Sequence, residues 1–233
     1  MIGQPLRPSA LSEKMLDQLR RYAALWLDRN WTIRTHQESN VPRFGPVILA
    51  ANHIGWLDGP VVFLKAPRPA HALVKREAYV GNIGRLLKAA AQIPINRLGT
   101  DVGPLRTAAE AVLAGQVVAI FPEGRRGGGE FTTVKGGVAW LALVTGAPVV
   151  PVSIFGTRAA GADKEFRPPK GAAIDVVYGE PIVLDKQPWP RTTEDIAAAT
   201  EKIAEHLRAQ LAAAKELTRR ELPGPIPKAV THG

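Results

Sequence analysis

The sequence predicts an α/β fold: a single layered domain with a mostly parallel sheet flanked by helices, plus an N-terminal amphipathic helix. Three observations predict it. From residue 46 onward short apolar runs alternate with helical stretches, the order that builds parallel sheets through crossover helices. Two of those runs, Pro46–Ala51 (PVILAA) and Val117–Phe121, read as buried strands. The 233 residues, 45% hydrophobic and 22% charged, suffice for one sizeable core, and no internal repeat divides them.

Taken in order, residues 11–34 read as the amphipathic helix, with Leu11, Met15, Leu16, Leu19, Tyr22, Ala23, Trp26 and Leu27 near helical spacing and Arg20, Arg21, Arg29 and Arg34 interleaved. Such a helix either packs on the core or lies in a membrane interface with its arginines towards lipid phosphates. After the 46–51 strand come a short helix at Trp56–Leu64, a strand at Ala72–Lys75, a helix at Ile83–Ala91 and an extended Ile93–Ile95. Val102–Ala114 is a helix ended by Gly115, and Gly136–Thr145 another. Val149–Ile154 and Ala172–Tyr178 are strands, Thr193–Arg220 is a long Ala-rich helix, and the Pro-rich end LPGPIPKAVTHG is expected to be loose. The organisation expected is therefore a helical segment at 1–34, a main domain at 35–222 and a tail at 223–233.

The net charge of +9, with a pI of about 10.1, points to an anionic partner. Residues 46–163 hold +5 of that excess, so the fold itself is expected to carry the anion site. Aromatics are only 6%, with no basic–aromatic interleaving, which argues against nucleic acid. Cysteine is absent, which removes disulfides and thiolate chemistry and fits a reducing compartment. The longest uncharged stretch, Val138–Phe155, is broken by Gly146, Pro148 and Pro151, and the start MIGQPLRPSA lacks the apolar region of a secretory signal; neither a spanning helix nor a signal is expected. None of the four serines sits in a G-x-S-x-G turn, no phosphate-loop fingerprint is present, and the five histidines are scattered, so no metal site is expected.

What remains is acid–base chemistry. Asn52-His53-Ile54-Gly55-Trp56-Leu57-Asp58 follows the PVILAA strand, where open α/β sheets place their ligands. His53 and Asp58, five apart, cannot align on one helical face. They meet only if His53 sits in a turn, which Gly55 would help to bend, and Asp58 opens the next helix. There the carboxylate fixes the imidazole tautomer and leaves the second nitrogen to take a proton. Alternatively, Asp58 only caps the helix. Phe121-Pro122-Glu123-Gly124-Arg125-Arg126-Gly127 follows another strand: its glycines admit a ligand, its arginines offer forked donors to phosphate, and Glu123 would orient them. A solvated hairpin tip is the plainer reading. Lys135 precedes a helix N-terminus, and Arg97 follows the extended Ile93–Ile95; a lone Arg of this kind is commonly a surface residue.

The ordered set NHIGWLD, IPINR, FPEGRR and APVVPVSI resembles the four sequence blocks of the glycerolipid acyltransferases, the family of 1-acyl-sn-glycerol-3-phosphate acyltransferases. The resemblance covers about residues 46–155 and makes 35–222 an acyltransferase domain. It implies His53 as general base and Asp58 as its orienting acid. It further implies Arg97, Glu123, Gly124, Arg125, Arg126 and Lys135 as the set that binds the acceptor's phosphate, with Val150-Pro151-Val152 structural. Where the family continues its third block Thr-Arg-Ser, this chain has Arg125-Arg126-Gly127, a second cation in place of a hydroxyl. The implied reaction moves a fatty acyl group from acyl-CoA or acyl-carrier protein to lysophosphatidic acid, giving phosphatidic acid, with no cofactor beyond the acyl co-substrate. Glycerol-3-phosphate, another lysophospholipid or a glycolipid are alternative acceptors, and a non-enzymatic basic module is the alternative of a different kind. The implied setting is peripheral or monotopic, on the cytoplasmic side of the cell membrane, against an anionic lipid surface.

Overall fold

A computed structural model describes residues 13–96 and 102–227. Seven strands form its sheet: β1 (Thr32–His36), β2 (Val47–Ala51), β3 (Ala70–Lys75), β4 (Ile93–Ile95), β5 (Val117–Ile120), β6 (Val149–Phe155) and β7 (Ala173–Tyr178), in the spatial order β1-β7-β6-β2-β5-β3-β4. Every neighbouring pair is parallel except β6 and β7. The α/β expectation of a mostly parallel sheet therefore holds. β2, β5 and β6 are buried along their whole length, which is why they are continuous apolar runs rather than alternating ones. Pro151 interrupts β6 at little cost. Its carbonyl accepts from Gly179, just past the end of β7, so its missing N–H falls on the same side, where the ladder has already closed.

Among the described residues six α-helices accompany the sheet: α1 (Glu13–Asn30), α2 (Asp58–Lys65), α3 (Gly81–Ala89), α4 (Gly103–Leu113), α5 (Gly137–Thr145) and α6 (Thr193–Thr218). One face buries Leu49, Ala119, Val152 and Ile154 against Leu27 of α1 and Val61 and Val62 of α2. The other buries Ile48, Val118 and Val149 against Ala108 of α4, Leu141 of α5 and Ile203 and Leu207 of α6. Successive strand residues feed opposite cores, as the two-residue period requires. α6 opens with a capping box in which Thr192 and Asp195 satisfy each other's backbone N–H groups.

Three local expectations are corrected. The N-terminal helix stops at Asn30 rather than residue 34, because Thr32–His36 is captured in five-residue parallel register by β7. Its arginines do not all face outward. Arg20 is buried and donates to the carbonyls of Leu64 and Ala66 at the end of α2, while Arg34 lies in β1. Nor is the start of the Pro-rich segment loose: Leu222 packs against the core, Pro223 is buried and the Gly224 carbonyl accepts from Arg158.

Asp175 in β7 ties the sheet edge together. It is 1% exposed and accepts from Arg34 Nε and Nη2 (2.8 and 2.6 Å), His36 Nε2 (2.9 Å) and Arg220 Nε (2.9 Å). Burial alone would raise its carboxyl pKa, but these donors outweigh burial and hold it below the ordinary value. A depressed carboxylate contributes stability above the unfolded pKa of about 3.9, lost as pH falls through the folded value. Its partners can still reach solvent, so Asp175→Ala is expected to cost roughly 1.5–3 kcal/mol at neutral pH. The gap to wild type should close on acidification, as read by denaturant melts across pH.

Candidate active site

Five parallel strands, β2 to β6, end on one edge of the sheet, and the loop after β2 carries His53 there. Asn52, fully buried, extends the strand's grip on β6 beyond the ladder: its amide accepts from Ile154 N (2.7 Å) and donates to Ile154 O (3.1 Å). His53 thus starts from a fixed backbone. Asp58 opens α2 with no exposure, and its Oδ2 accepts from His53 Nδ1 (2.8 Å), Ile54 N (2.7 Å) and Gly55 N (2.8 Å). Oδ1 accepts from Thr157 Oγ1 (2.5 Å). The turn-then-helix geometry required by the spacing is the one adopted. The reason for Gly55 differs from the expected one: its φ is not in the left-handed region, but a Cβ there would lie 2.7 Å from the Thr157 carbonyl oxygen.

A carboxylate only accepts, so Nδ1 of His53 donates and the neutral ring carries its lone pair on Nε2. The ring is 22% exposed and stacks on Phe121 at a centroid distance of 4.4 Å and a 33° tilt. This leaves a basic nitrogen of fixed tautomer on a part-open face.

The FPEGRR loop is fastened to the histidine loop, and Glu123 does the fastening. Its carboxylate accepts from His53 N (2.9 Å) and Phe131 N (3.3 Å) rather than orienting the arginines beside it in sequence. Burial pushes the Glu123 carboxyl above the usual range, with those N–H donors pulling back in part and Glu130 adding to the rise. Gly127 N returns a bond to His53 O (2.8 Å). Arg126 donates to Lys164 O (2.5 Å) and meets Glu165 at 3.4 Å. Arg125 and Lys135 are exposed and make no ion pair with another described residue. The Lys135 side chain lies over Gly124, so that a Cβ on that glycine would come within 2.6 Å of Lys135 Cε. Arg97 lies outside the described residues.

Two residues of this edge carry no signal in the four blocks. Thr157 and Arg158 follow β6 as His53 follows β2, and that shared position past a parallel strand is the clue that could have found them. Arg158, 3% exposed, donates through Nε to Ile54 O (2.8 Å), through Nη1 to Ala162 O (2.8 Å) and through Nη2 to Gly127 O (2.9 Å) and Gly224 O (2.5 Å). Burial lowers its pKa from the ordinary guanidinium value, and the Asp58 and Glu130 charges offset part of that. One side chain therefore joins the histidine loop, the FPEGRR loop, the β6 loop and the C-terminal segment.

An oriented imidazole with no suitable serine or cysteine nearby suits transfer between two bound substrates, without a covalent enzyme adduct. That is the class the fold and site define. Residues 32–155, just over half the chain, match the family described as Acyltransferase; the chain belongs to this family and is an O-acyltransferase. It is 26% identical over 180 residues to the 1-acyl-sn-glycerol-3-phosphate acyltransferase of Bacillus subtilis (strain 168), covering 76% of this chain and 86% of that protein. It is 29% identical over 145 residues to the protein of the same name from Borreliella burgdorferi, covering 58% and 55%. The fold is similar to that of the crystal structure of the 1-acyl-sn-glycerophosphate (LPA) acyltransferase PlsC from Thermotoga maritima, with a TM-score of 0.61 and 22% identity over 89% of this chain and 80% of that one.

Thr157→Val removes the hydroxyl donor from Asp58 while keeping the side chain's shape. Loss of one hydrogen bond to a charged group is expected to lower kcat by about 10–100-fold, with acceptor KM little changed. An equal rise in KM would mean that Thr157 serves binding instead.

Proposed function

We propose that the chain moves a fatty acyl group from a thioester donor, acyl-CoA or acyl-carrier protein, to the free hydroxyl of lysophosphatidic acid, giving phosphatidic acid for phospholipid synthesis. The observation that carries this is the His53 Nδ1–Asp58 bond, which leaves Nε2 as the acceptor of the hydroxyl proton. As the proton moves to Nε2, the oxygen attacks the thioester carbonyl. The tetrahedral intermediate then collapses, breaking the carbon–sulfur bond, and the imidazolium returns its proton to the departing thiolate. No acyl-enzyme forms, in keeping with the absence of cysteine.

The acceptor's phosphate would be met by Arg125 and Lys135, and by Arg97 as the resemblance implies, so that binding remote from the reacting atoms orients the hydroxyl. Arg126 is the less available of the adjacent pair, since Lys164 O and Glu165 already hold it. Glu123 and Gly124 serve this site as loop framework. The names of the curated relatives support lysophosphatidic acid as acceptor. Arg125, standing where the family has a hydroxyl, favours a second reading in which the acceptor is a different anionic headgroup on the same mechanism. The enzyme would act at the cytoplasmic face of the membrane as a peripheral or monotopic protein; among the described residues no helix is long and apolar enough to cross a bilayer.

The test is acyl transfer from labelled acyl-CoA to a panel of acceptors. His53→Ala is expected to lower turnover on lysophosphatidic acid by about 10²–10⁴-fold with the melting temperature retained; wild-type turnover would overturn the base assignment. Arg125→Ala and Lys135→Ala are each expected to raise acceptor KM by about tenfold with kcat retained. An unchanged KM in both would remove them from the phosphate site.

A further inference from the structure

Asp58 is held by the N–H groups of two consecutive peptide units, and each unit is also held at its carbonyl. In the His53–Ile54 unit, Ile54 N donates to Asp58 Oδ2 (2.7 Å) while His53 O accepts from Gly127 N (2.8 Å). In the Ile54–Gly55 unit, Gly55 N donates to the same oxygen (2.8 Å) while Ile54 O accepts from Arg158 Nε (2.8 Å). A trans peptide is planar, with its N–H and C=O pointing in opposite directions, so fixing one fixes the other. Arg158 governs both units. It holds the second directly, and it holds the first through Gly127, whose own carbonyl accepts from Arg158 Nη2 (2.9 Å). Bonds to Ala162 O (2.8 Å) and Gly224 O (2.5 Å) anchor the guanidinium itself.

We propose that Arg158 is a positioning residue for acyl transfer: it sets the peptide planes that hold Asp58 Oδ2, and through that oxygen the place of His53 Nε2. The proposal rests on the reading of His53 as the base. Filling space would not require a cation here. An apolar side chain could occupy a site of 3% exposure without desolvating a charge, yet this guanidinium is buried with main-chain carbonyls as its hydrogen-bond partners. Its four bonds spread over three nitrogens in one rigid plane, a span that the single nitrogen of a lysine cannot reproduce. The oxygen so held is also the one that accepts from His53 Nδ1 (2.8 Å), so rotation of either peptide displaces the imidazole.

The first test uses the wild-type protein. Amide hydrogen exchange is expected to find the Ile54 and Gly55 N–H groups as protected as those of β2, and fast exchange at both would overturn the proposal. Arg158→Lys keeps the charge and loses the fork. It is expected to lower kcat by about tenfold to a hundredfold, with donor and acceptor KM within about twofold of wild type. The far-downfield proton resonance of His53 Nδ1, assigned by its loss in His53→Ala, should move in the same variant. Arg68→Lys is the matched control, because Arg68 gathers the carbonyls of Pro42, Gly45 and Gly115 ahead of β2 and β5, at the opposite edge of the sheet. It should lower the melting temperature and leave kcat and the Nδ1 resonance unchanged. Wild-type kcat in Arg158→Lys, an equal loss of kcat in Arg68→Lys, or an Nδ1 resonance that stays in place would each overturn the proposal. If His53→Ala retains turnover while the Nδ1 resonance still moves in Arg158→Lys, the positioning stands and the base reading falls.

Discussion

The carboxylate of Asp58 is the constraint on which the site depends. An ion with no exposure carries a desolvation penalty of several kcal/mol, which must be offset locally or the group neutralises. Here four donors converge on it: the His53 ring, two consecutive backbone N–H groups and the Thr157 hydroxyl. It also opens α2, where the helix dipole favours negative charge. Satisfying that buried charge dictates the path of residues 53–58, and the same set of bonds dictates the tautomer of the imidazole. The orientation needed for chemistry is therefore a by-product of solving a folding problem, and substrate need not impose it.

Around that carboxylate three loops are locked to one another rather than to solvent. Glu123 holds the His53 backbone from the β5 side, and Arg158 holds the Ile54 carbonyl from the β6 side. The Gly127 N–H closes the ring onto His53 O. Two of these bonds join backbone to a buried or half-buried side chain and the third joins backbone to backbone, so the geometry is built at folding. Groups that stay fixed when charge develops are worth more than groups that must reorganise. The division of labour among the charged residues follows: Glu123 and Arg158 support, while Arg125 and Lys135 are turned outward and free to engage an anion.

The parts legible in the sequence are those whose physics is local. Central strands buried on both faces must be apolar throughout, so β2, β5 and β6 declared themselves, and the loops after β2 and β5 could be placed on one edge of the sheet. β1 was hidden because TIRTH at an edge is stabilised by pairing with β7 and by the Arg34 and His36 bonds to Asp175, neither of which is visible from residues 32–36 alone. His53 and Asp58 were legible as a spacing. Glu123 was legible as a residue but not as a role, because adjacency to two arginines suggested a pairing that the loop's turn prevents. Thr157 and Arg158 act across about a hundred residues, and all the Arg158 donors go to main-chain carbonyls, which have no side-chain identity to recognise.

The net charge shows how far composition can carry a functional argument. A formal +9 suggested an anionic partner, yet many of the guanidinium groups are already committed within the fold. Arg20 caps the end of α2, Arg68 gathers the carbonyls of Pro42, Gly45 and Gly115, Arg158 joins the loops after β2, β5 and β6, and Arg34 and Arg220 share Asp175. Such groups contribute to the potential around the molecule but offer few donors to a ligand. What remains for partners is the outward subset. Arg125 lies in the FPEGRR loop, which Glu123 fastens to the His53 backbone, and Lys135 lies over Gly124 of the same loop. Net charge therefore locates no site until the guanidinium groups committed to backbone carbonyls and to Asp175 are set aside, and only the cations left outward are available to an anionic ligand.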